Sequence, residues 1–154
     1  MSTGIITVGV DGSEPSNSAL RFALDEAKRR NAVLRVVTVW EPSALYTAGG
    51  IAELAEWRYD EYSDAARALQ DAALDGVLQQ IKADDQPELD RLVIHGDPGY
   101  ALVETSKDTD LLILGTEHKG LLKRITAGSI SNYCIRYAQI PVVVVPFVHQ
   151  AQRN

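Results

Sequence analysis

Five short runs of aliphatic and β-branched residues recur along the chain, with apolar positions at helical spacing between them. Residues 5–10 (Ile-Ile-Thr-Val-Gly-Val), 33–39 (Val-Leu-Arg-Val-Val-Thr-Val), 92–95 (Leu-Val-Ile-His), 111–114 (Leu-Leu-Ile-Leu) and 141–145 (Pro-Val-Val-Val-Val) are the runs. They lack strict alternation, so they read as strands covered on both faces, the mark of a parallel sheet. Asp11-Gly12-Ser13 breaks the first run, and Ser13 is placed to cap a helix. Leu20, Ala23, Leu24 and Ala27 give that helix one apolar face, and Lys28-Arg29-Arg30-Asn31 supplies the cations and the left-handed-tolerant residue expected at its end.

The same spacing predicts three more helices. Tyr62, Ala66, Leu69, Ala73, Val77 and Ile81 mark a long one that stops before Asp84-Asp85-Gln86-Pro87. Gly96-Asp97-Pro98 opens another carrying Ala101, Leu102, Val103 and Ser106, and residues 129–137 form the last, with Ile130, Tyr133, Cys134 and Tyr137 on one side. Residues 41–59, interrupted by Pro42, Gly49 and Gly50, read as a loop. Strand and helix in alternation predict an α/β fold: one doubly wound, five-stranded parallel sheet with helices on both faces. It spans residues 1–148, and a polar tail follows over 149–154. With strand order 3-2-1-4-5, the ligand crevice falls beyond the carboxyl ends of the first and fourth strands. Asp11-Gly12-Ser13 then faces Gly115 across it.

The length, 154 residues, suits one domain that buries roughly 70% of its unfolded surface. At 45% apolar, 23% charged and 6% aromatic residues, the composition is that of an ordinary globular protein. The net charge of −6 repels polyanions, which argues against nucleic acid as a partner. The single cysteine, Cys134, excludes an intramolecular disulfide and a cysteine-rich metal site, and on an apolar helical face it reads as core rather than nucleophile. His95, His118 and His149 are scattered without metal-ligand spacing, so no structural metal is expected. No run approaches the roughly 18 apolar residues of a membrane span, and no leader pattern opens the chain, so a cytoplasmic protein without a membrane partner is expected.

Candidate chemistry gathers in residues 115–131, where a strand hands over to a helix through Gly115, Gly120, Gly128, Ser129 and Ser131. The unpaired N–H groups of a helix start, backed by the helix dipole, attract anions, and glycine lets the backbone come close. Lys119, Lys123 and Arg124 lie within this segment, as phosphate partners or as a solvated basic loop. It is not a P-loop: Leu121-Leu122 stands where Gly115-x4-Gly120 would need Lys and Ser/Thr. No Gly-x-Gly-x-x-Gly follows the first strand, and no Gly-x-Ser-x-Gly nucleophile elbow occurs.

Val8-Gly9-Val10-Asp11-Gly12-Ser13, the 111–115 strand, Gly128-Ser129-Ile130-Ser131 and the closing Ile140-Pro141-Val-Val-Val-Val145 together resemble the universal stress protein family over essentially the whole chain. Nucleotide-binding members carry Gly-x2-Gly-x9-Gly-Ser/Thr after the fourth strand. Gly115, Gly128 and Ser129 match its first, third and last positions, and His118 stands at the second. The resemblance implies a site for ATP or AMP, with or without Mg²⁺. Asp11 would hydrogen-bond the nucleoside end, with Gly9 and Val10 in the same turn, and the Val39 backbone would meet the adenine. Leu114 and Gly115 would pack on the ribose, and Gly128, Ser129, Ile130 and Ser131 would hold phosphate.

Other readings stand beside these. Asp11-Gly12-Ser13 also suits a plain capped turn, Gly115 a strand end, and Gly128-Ser129 an ordinary helix start. His118 reads as a surface residue, a phosphate partner, or an obstruction where the family glycine would take a positive φ. No general base is evident, so slow ATP hydrolysis or self-phosphorylation is the most expected of the chain as an enzyme. Val142, Val143, Val144 and Val145 would form an apolar sheet edge, bracketed by Pro141 and Pro146, on which a homodimer closes. The expected function is a dimeric, adenine-nucleotide-binding regulator of stress response. If His118 obstructs the site, the same dimer acts instead through protein contacts with a partner that the sequence does not name.

Overall fold

The computed structural model describes residues 3–41, 58–118 and 128–148, with the side chains of Glu117, His118 and Val148 outside that description. Five parallel strands form one sheet: β1 (Ile5–Gly9), β2 (Val33–Trp40), β3 (Leu89–His95), β4 (Leu111–His118) and β5 (Val142–Val148). Their order is β3-β2-β1-β4-β5, the doubly wound arrangement expected from the alternation of runs and helices. Among the described residues four α-helices intervene: α1 (Glu14–Arg30), α2 (Tyr59–Leu78), α3 (Pro98–Thr105) and α4 (Ser129–Tyr137).

Period-two alternation divides the core between the two faces. Ile6, Val8, Leu34, Val36, Leu111 and Ile113 point to one side and pack with Leu20, Leu24 and Ala27 of α1 and with Ala73, Leu74 and Val77 of α2. Val37, Leu112 and Leu114 point to the other, against Leu102 and Val103 of α3 and Cys134 of α4. Thr7 faces this second side, where its hydroxyl meets that of Thr109 at 3.1 Å.

α1 begins and ends as the sequence dictates. Ser13 caps it by accepting from the Ser16 N–H at 3.3 Å, Pro15 sits in the first turn, and Asn31 closes it at φ 52°, ψ 45°. In α2 the buried face is Ala66, Gln70, Ala73, Leu74 and Val77. Leu69, expected on that face, is instead about one-third exposed and lies over Gly12. Ile81 follows the helix end and still packs on the core from outside it. Gln70 is fully buried: its amide donates to the carbonyls of Val36 (3.2 Å) and Leu92 (3.0 Å) and to the Thr38 hydroxyl (3.1 Å). Its Oε1 accepts from Arg91 Nε at 3.0 Å, and Arg91 also pairs with Asp71.

Several expected boundaries move. β3 starts three residues early, and β4 and β5 run on to residues 118 and 148, because pairing extends wherever a neighbouring strand offers a ladder. Pro146 therefore lies within β5, opposite Thr116, rather than ending it; on an edge strand the missing N–H costs no ladder bond. Tyr59 is helical rather than part of a loop; residues 42–57 lie outside the described residues. The α4 face also differs. Ser131 and Cys134 are its buried residues, while Ile130 is 39% and Tyr137 52% exposed, because this short helix covers only the β4–β5 end of the sheet. Burial pushes the Cys134 thiol up to about 11, in keeping with a core cysteine.

Gly115 lies in the middle of β4 and does not end it. A Cβ there would stand 2.1 Å from the Pro15 carbonyl oxygen in the first turn of α1. Gly115→Ala must force helix and strand apart, so it is expected to cost about 1–3 kcal/mol, the usual range for overpacking. Urea unfolding of the two proteins measures this; equal midpoints would refute the packing role.

Candidate functional site

At the carboxyl ends of β1 and β4 the chain opens into a cleft of about 300 Å³. It sits where strand order reverses, between a strand that connects leftward in the sheet and one that connects rightward. Gly9, Val10 and Asp11 come from the end of β1, Val37, Val39 and Glu41 from β2 and its exit, and Leu114 and Gly115 from β4. Ser13 and Ser16 of the capping turn, Pro98 and Leu102 of α3, and Ile130 and Ser131 of α4 complete the wall.

The floor is apolar because of small residues at key points. A Cβ on Gly9 would stand 3.0 Å from Leu114 and 3.3 Å from Leu102, so its absence lets both leucines close in beneath the cleft. Gly12 has φ +82°, which few residues with a Cβ adopt, and it turns the chain from β1 into α1.

Asp11 Oδ1 accepts from the Ser13 N–H at 2.9 Å and the Ser13 hydroxyl at 2.5 Å. The Asp11 N–H donates to the Ser16 hydroxyl at 3.2 Å, and that hydroxyl donates to the Ser13 carbonyl at 3.2 Å. Partial burial pushes the Asp11 carboxyl up, but the bonds from Ser13 and Ser16 outweigh it and hold the group below its ordinary value of 3.8. A carboxylate is thus fixed in the cleft wall. α4 starts at Gly128 without a side-chain cap, and its first-turn residues Ile130 and Ser131 reach the same wall. The cleft is bordered both by an anionic acceptor and by the first turn of a helix, so it suits a ligand that carries hydroxyl or amino groups together with an anion.

Of the residues singled out from sequence, Gly9, Val10, Asp11, Val39, Leu114, Gly115, Ile130 and Ser131 meet in this cleft. Gly128 and Ser129 are exposed at the start of α4 and do not line it. His118 lies on β4 rather than in the loop after it, paired with Val148, so its backbone is extended, a conformation open to any residue. The objection that a positive φ would exclude histidine does not apply on this strand. Lys119, Lys123, Arg124 and His149 lie outside the described residues. His95 ends β3 against Trp40, with ring centroids 4.4 Å apart, and does not line the cleft.

Sequence reasoning missed Ser13, Ser16, Glu41, Pro98 and Leu102 as wall residues. Glu41 had a readable signal: it continues the alternation of Val37 and Val39 onto the same side of β2. Pro98 opens the helix after β3, on the edge where every strand-to-helix turn of such a sheet gathers. Among the described residues no group of three His, Cys, Asp or Glu is placed to hold a metal ion, and no helix is long and apolar enough to cross a membrane.

A profile of the universal stress protein family matches residues 3–146. Universal stress protein Rv2005c of Mycobacterium tuberculosis is 32% identical over 139 residues, covering 90% of this chain and 44% of the relative. The chain thus spans about half the length of the known relatives it matches. Three solved structures share the fold. A universal stress family protein from Arabidopsis thaliana with AMP bound has a TM-score of 0.55 at 16% identity, covering 98% of this chain and 96% of its own. A universal stress protein in complex with cAMP scores 0.56 at 24% identity, with coverage of 95% and 98%. The Archaeoglobus fulgidus protein in complex with dAMP scores 0.55 at 19%, with coverage of 94% and 98%.

Asp11 contributes stability that is fully present above its ordinary value of 3.8 and is lost as the pH falls through its lowered value. The unfolding free energy of the wild type is therefore expected to exceed that of Asp11→Asn by a margin that shrinks as pH drops below about 4. Chemical denaturation from pH 3 to pH 6 tests this, and a margin that widens on acidification would reverse the sign of the argument.

Proposed function

This chain belongs to the universal stress protein family, and from that premise we propose that it binds an adenine nucleotide, ATP or AMP, in the cleft at the sheet's switch point and acts as a dimeric regulatory module. The observation that carries the reading is the make-up of the cleft wall, where an ionised Asp11 and the first turn of α4 border the same space. A nucleotide has the matching groups, with hydroxyl and amino donors on the nucleoside and anionic oxygens on the phosphate. The AMP, cAMP and dAMP of the three similar proteins fit the same arrangement.

In this reading the Asp11 carboxylate accepts from the nucleoside, while Val37, Val39, Leu102 and Leu114 give its planar part an apolar bed. The N–H groups at the start of α4 and the hydroxyls of Ser129 and Ser131 take the phosphate, and Gly128 leaves their approach open. Mg²⁺, when present, would be held by the nucleotide's own phosphates. The regulatory output is a change in the exposed surface around the occupied cleft, without turnover; the location is cytoplasmic. A protein-interaction role with an impaired site is the second reading, and His118 at the motif's second position is what favours it.

Calorimetric titration with AMP and ATP tests the reading. Asp11→Ala is expected to weaken binding about 10- to 100-fold, the worth of one hydrogen bond to a charged group. No heat from the wild type at millimolar nucleotide refutes the primary reading, and binding restored by His118→Gly would support the impaired-site alternative.

β5 is an edge strand whose Val142, Val143, Val144 and Val145 are half-buried, so its outer row of backbone groups is open to a second copy. The dimer is expected to form there about a two-fold axis. Sedimentation equilibrium of the wild type should give twice the 16.8 kDa chain mass, and Val144→Lys should give the monomer while keeping the far-ultraviolet circular dichroism. A dimer that survives Val144→Lys places the interface elsewhere.

A further inference from the structure

Leu69 of α2 is 36% exposed and lines no part of the cleft, yet it rests on the turn that carries Asp11. A Cβ at Gly12 would stand 3.0 Å from Leu69 Cγ and 3.2 and 3.3 Å from its two Cδ atoms, so the three nearest heavy atoms all belong to this side chain. The helix places it there. Tyr59 and Tyr62 pack on Trp40 at the end of β2, so α2 starts at the carboxyl edge of the sheet. Leu69 flanks the buried stripe, three residues after Ala66 and four before Ala73, and helix side chains lean toward the N-terminus, here toward that edge. Next to it, Gln70 bonds to Val36, Thr38 and Leu92, so the leucine is carried on a stretch of helix that two strands hold.

We propose that Leu69 is a positioning residue for Asp11: packed on Gly12 from α2, it keeps the turn closed and the carboxylate in the cleft wall without lining the cleft itself. Asp11, Gly12 and Ser13 are all exposed, and an exposed turn has few contacts to hold it. The two bonds that Asp11 Oδ1 accepts from the Ser13 N–H and hydroxyl both reach across Gly12, so they close only while Gly12 keeps its φ of +82°. Glycine adopts either sign of φ readily. With Leu69 cut back to alanine, Gly12 samples its other conformations, the bonds from Ser13 open part of the time, and the carboxylate loses its fixed place. The effect on a ligand rests on the nucleotide reading of the cleft; the effect on Asp11 does not.

Two measurements on the wild type, Leu69→Ala and Leu69→Met test this: calorimetric titration with AMP, and the titration of the Asp11 carboxyl carbon followed by NMR. Leu69→Ala is expected to weaken AMP about three- to thirty-fold, the range for residues that act without touching a ligand. It should also move the Asp11 midpoint up from its wild-type value below 3.8, because the bonds that favour the ionised form are weakened. Leu69→Met keeps an apolar side chain on Gly12 and should restore both. Phe22→Ala, which removes a similarly exposed side chain (39%) from α1 beyond the turn, controls for a general loss of stability and should change neither. The inference is overturned if Leu69→Ala leaves the Asp11 midpoint unchanged, or if Leu69→Met or Phe22→Ala shifts it as far. Should the wild type not bind AMP, the nucleotide reading fails by itself, and the Asp11 midpoints still decide whether Leu69 positions the carboxylate.

Discussion

The close approach of the first turn of α1 to the middle of β4 is the contact on which the site depends. With a Cβ at Gly115 only 2.1 Å from the Pro15 carbonyl oxygen, the two elements meet backbone to backbone. That contact fixes where α1 starts, and α1 starts with the turn that presents Asp11, Ser13 and Ser16. Glycine at 12 lets the chain make this turn at φ +82°, with Leu69 of α2 packed above it. The capping bonds that start the helix and the bonds that hold Asp11 ionised are parts of one small network, so a local rule of helix formation and the chemistry of the cleft share the same atoms.

The cleft wall combines apolar and polar parts, and each has a separate origin. The apolar floor comes from the second core, whose Leu102 and Leu114 close in where Gly9 leaves room. Its carboxylates come from strand exits, and its helix start from an uncapped α4. In a parallel sheet all strand exits lie on one edge, so such features gather without any contact between the residues in sequence.

The elements of the fold were legible because β-branched runs and helical spacing differ in period, and because Ser13 and Asn31 mark both ends of α1. Asp11, Val39 and Gly115 were legible as neighbours once strand order was inferred from the alternation of elements. The role of Gly115 was not, because its partner is a backbone carbonyl a hundred residues earlier, which no local pattern encodes. Pro98 and Leu102 read as an ordinary helix start and core face, and only the placement of α3 on the cleft side turns them into wall. The apolar side assigned to α4 held for Tyr133 and Cys134 but not for Ile130 and Tyr137, for a geometric reason: a helix at the sheet's margin buries a narrower face than one at its centre.

The buried amide of Gln70 has a consequence for how α2 finds its place. Its acceptors span two strands, the carbonyls of Val36 and Leu92 with the Thr38 hydroxyl, and it in turn receives Arg91. Alanine and leucine make up most of the rest of the buried face and would pack nearly as well one turn up or down. A shifted helix would bring Ala66 or Leu74 to this point and strand the amide among aliphatic side chains, at a cost of about 1–3 kcal/mol for the lost hydrogen bonds. Gln70 is thus a key that sets the register of the helix against the sheet, supplying uniqueness where the apolar contacts supply only adhesion.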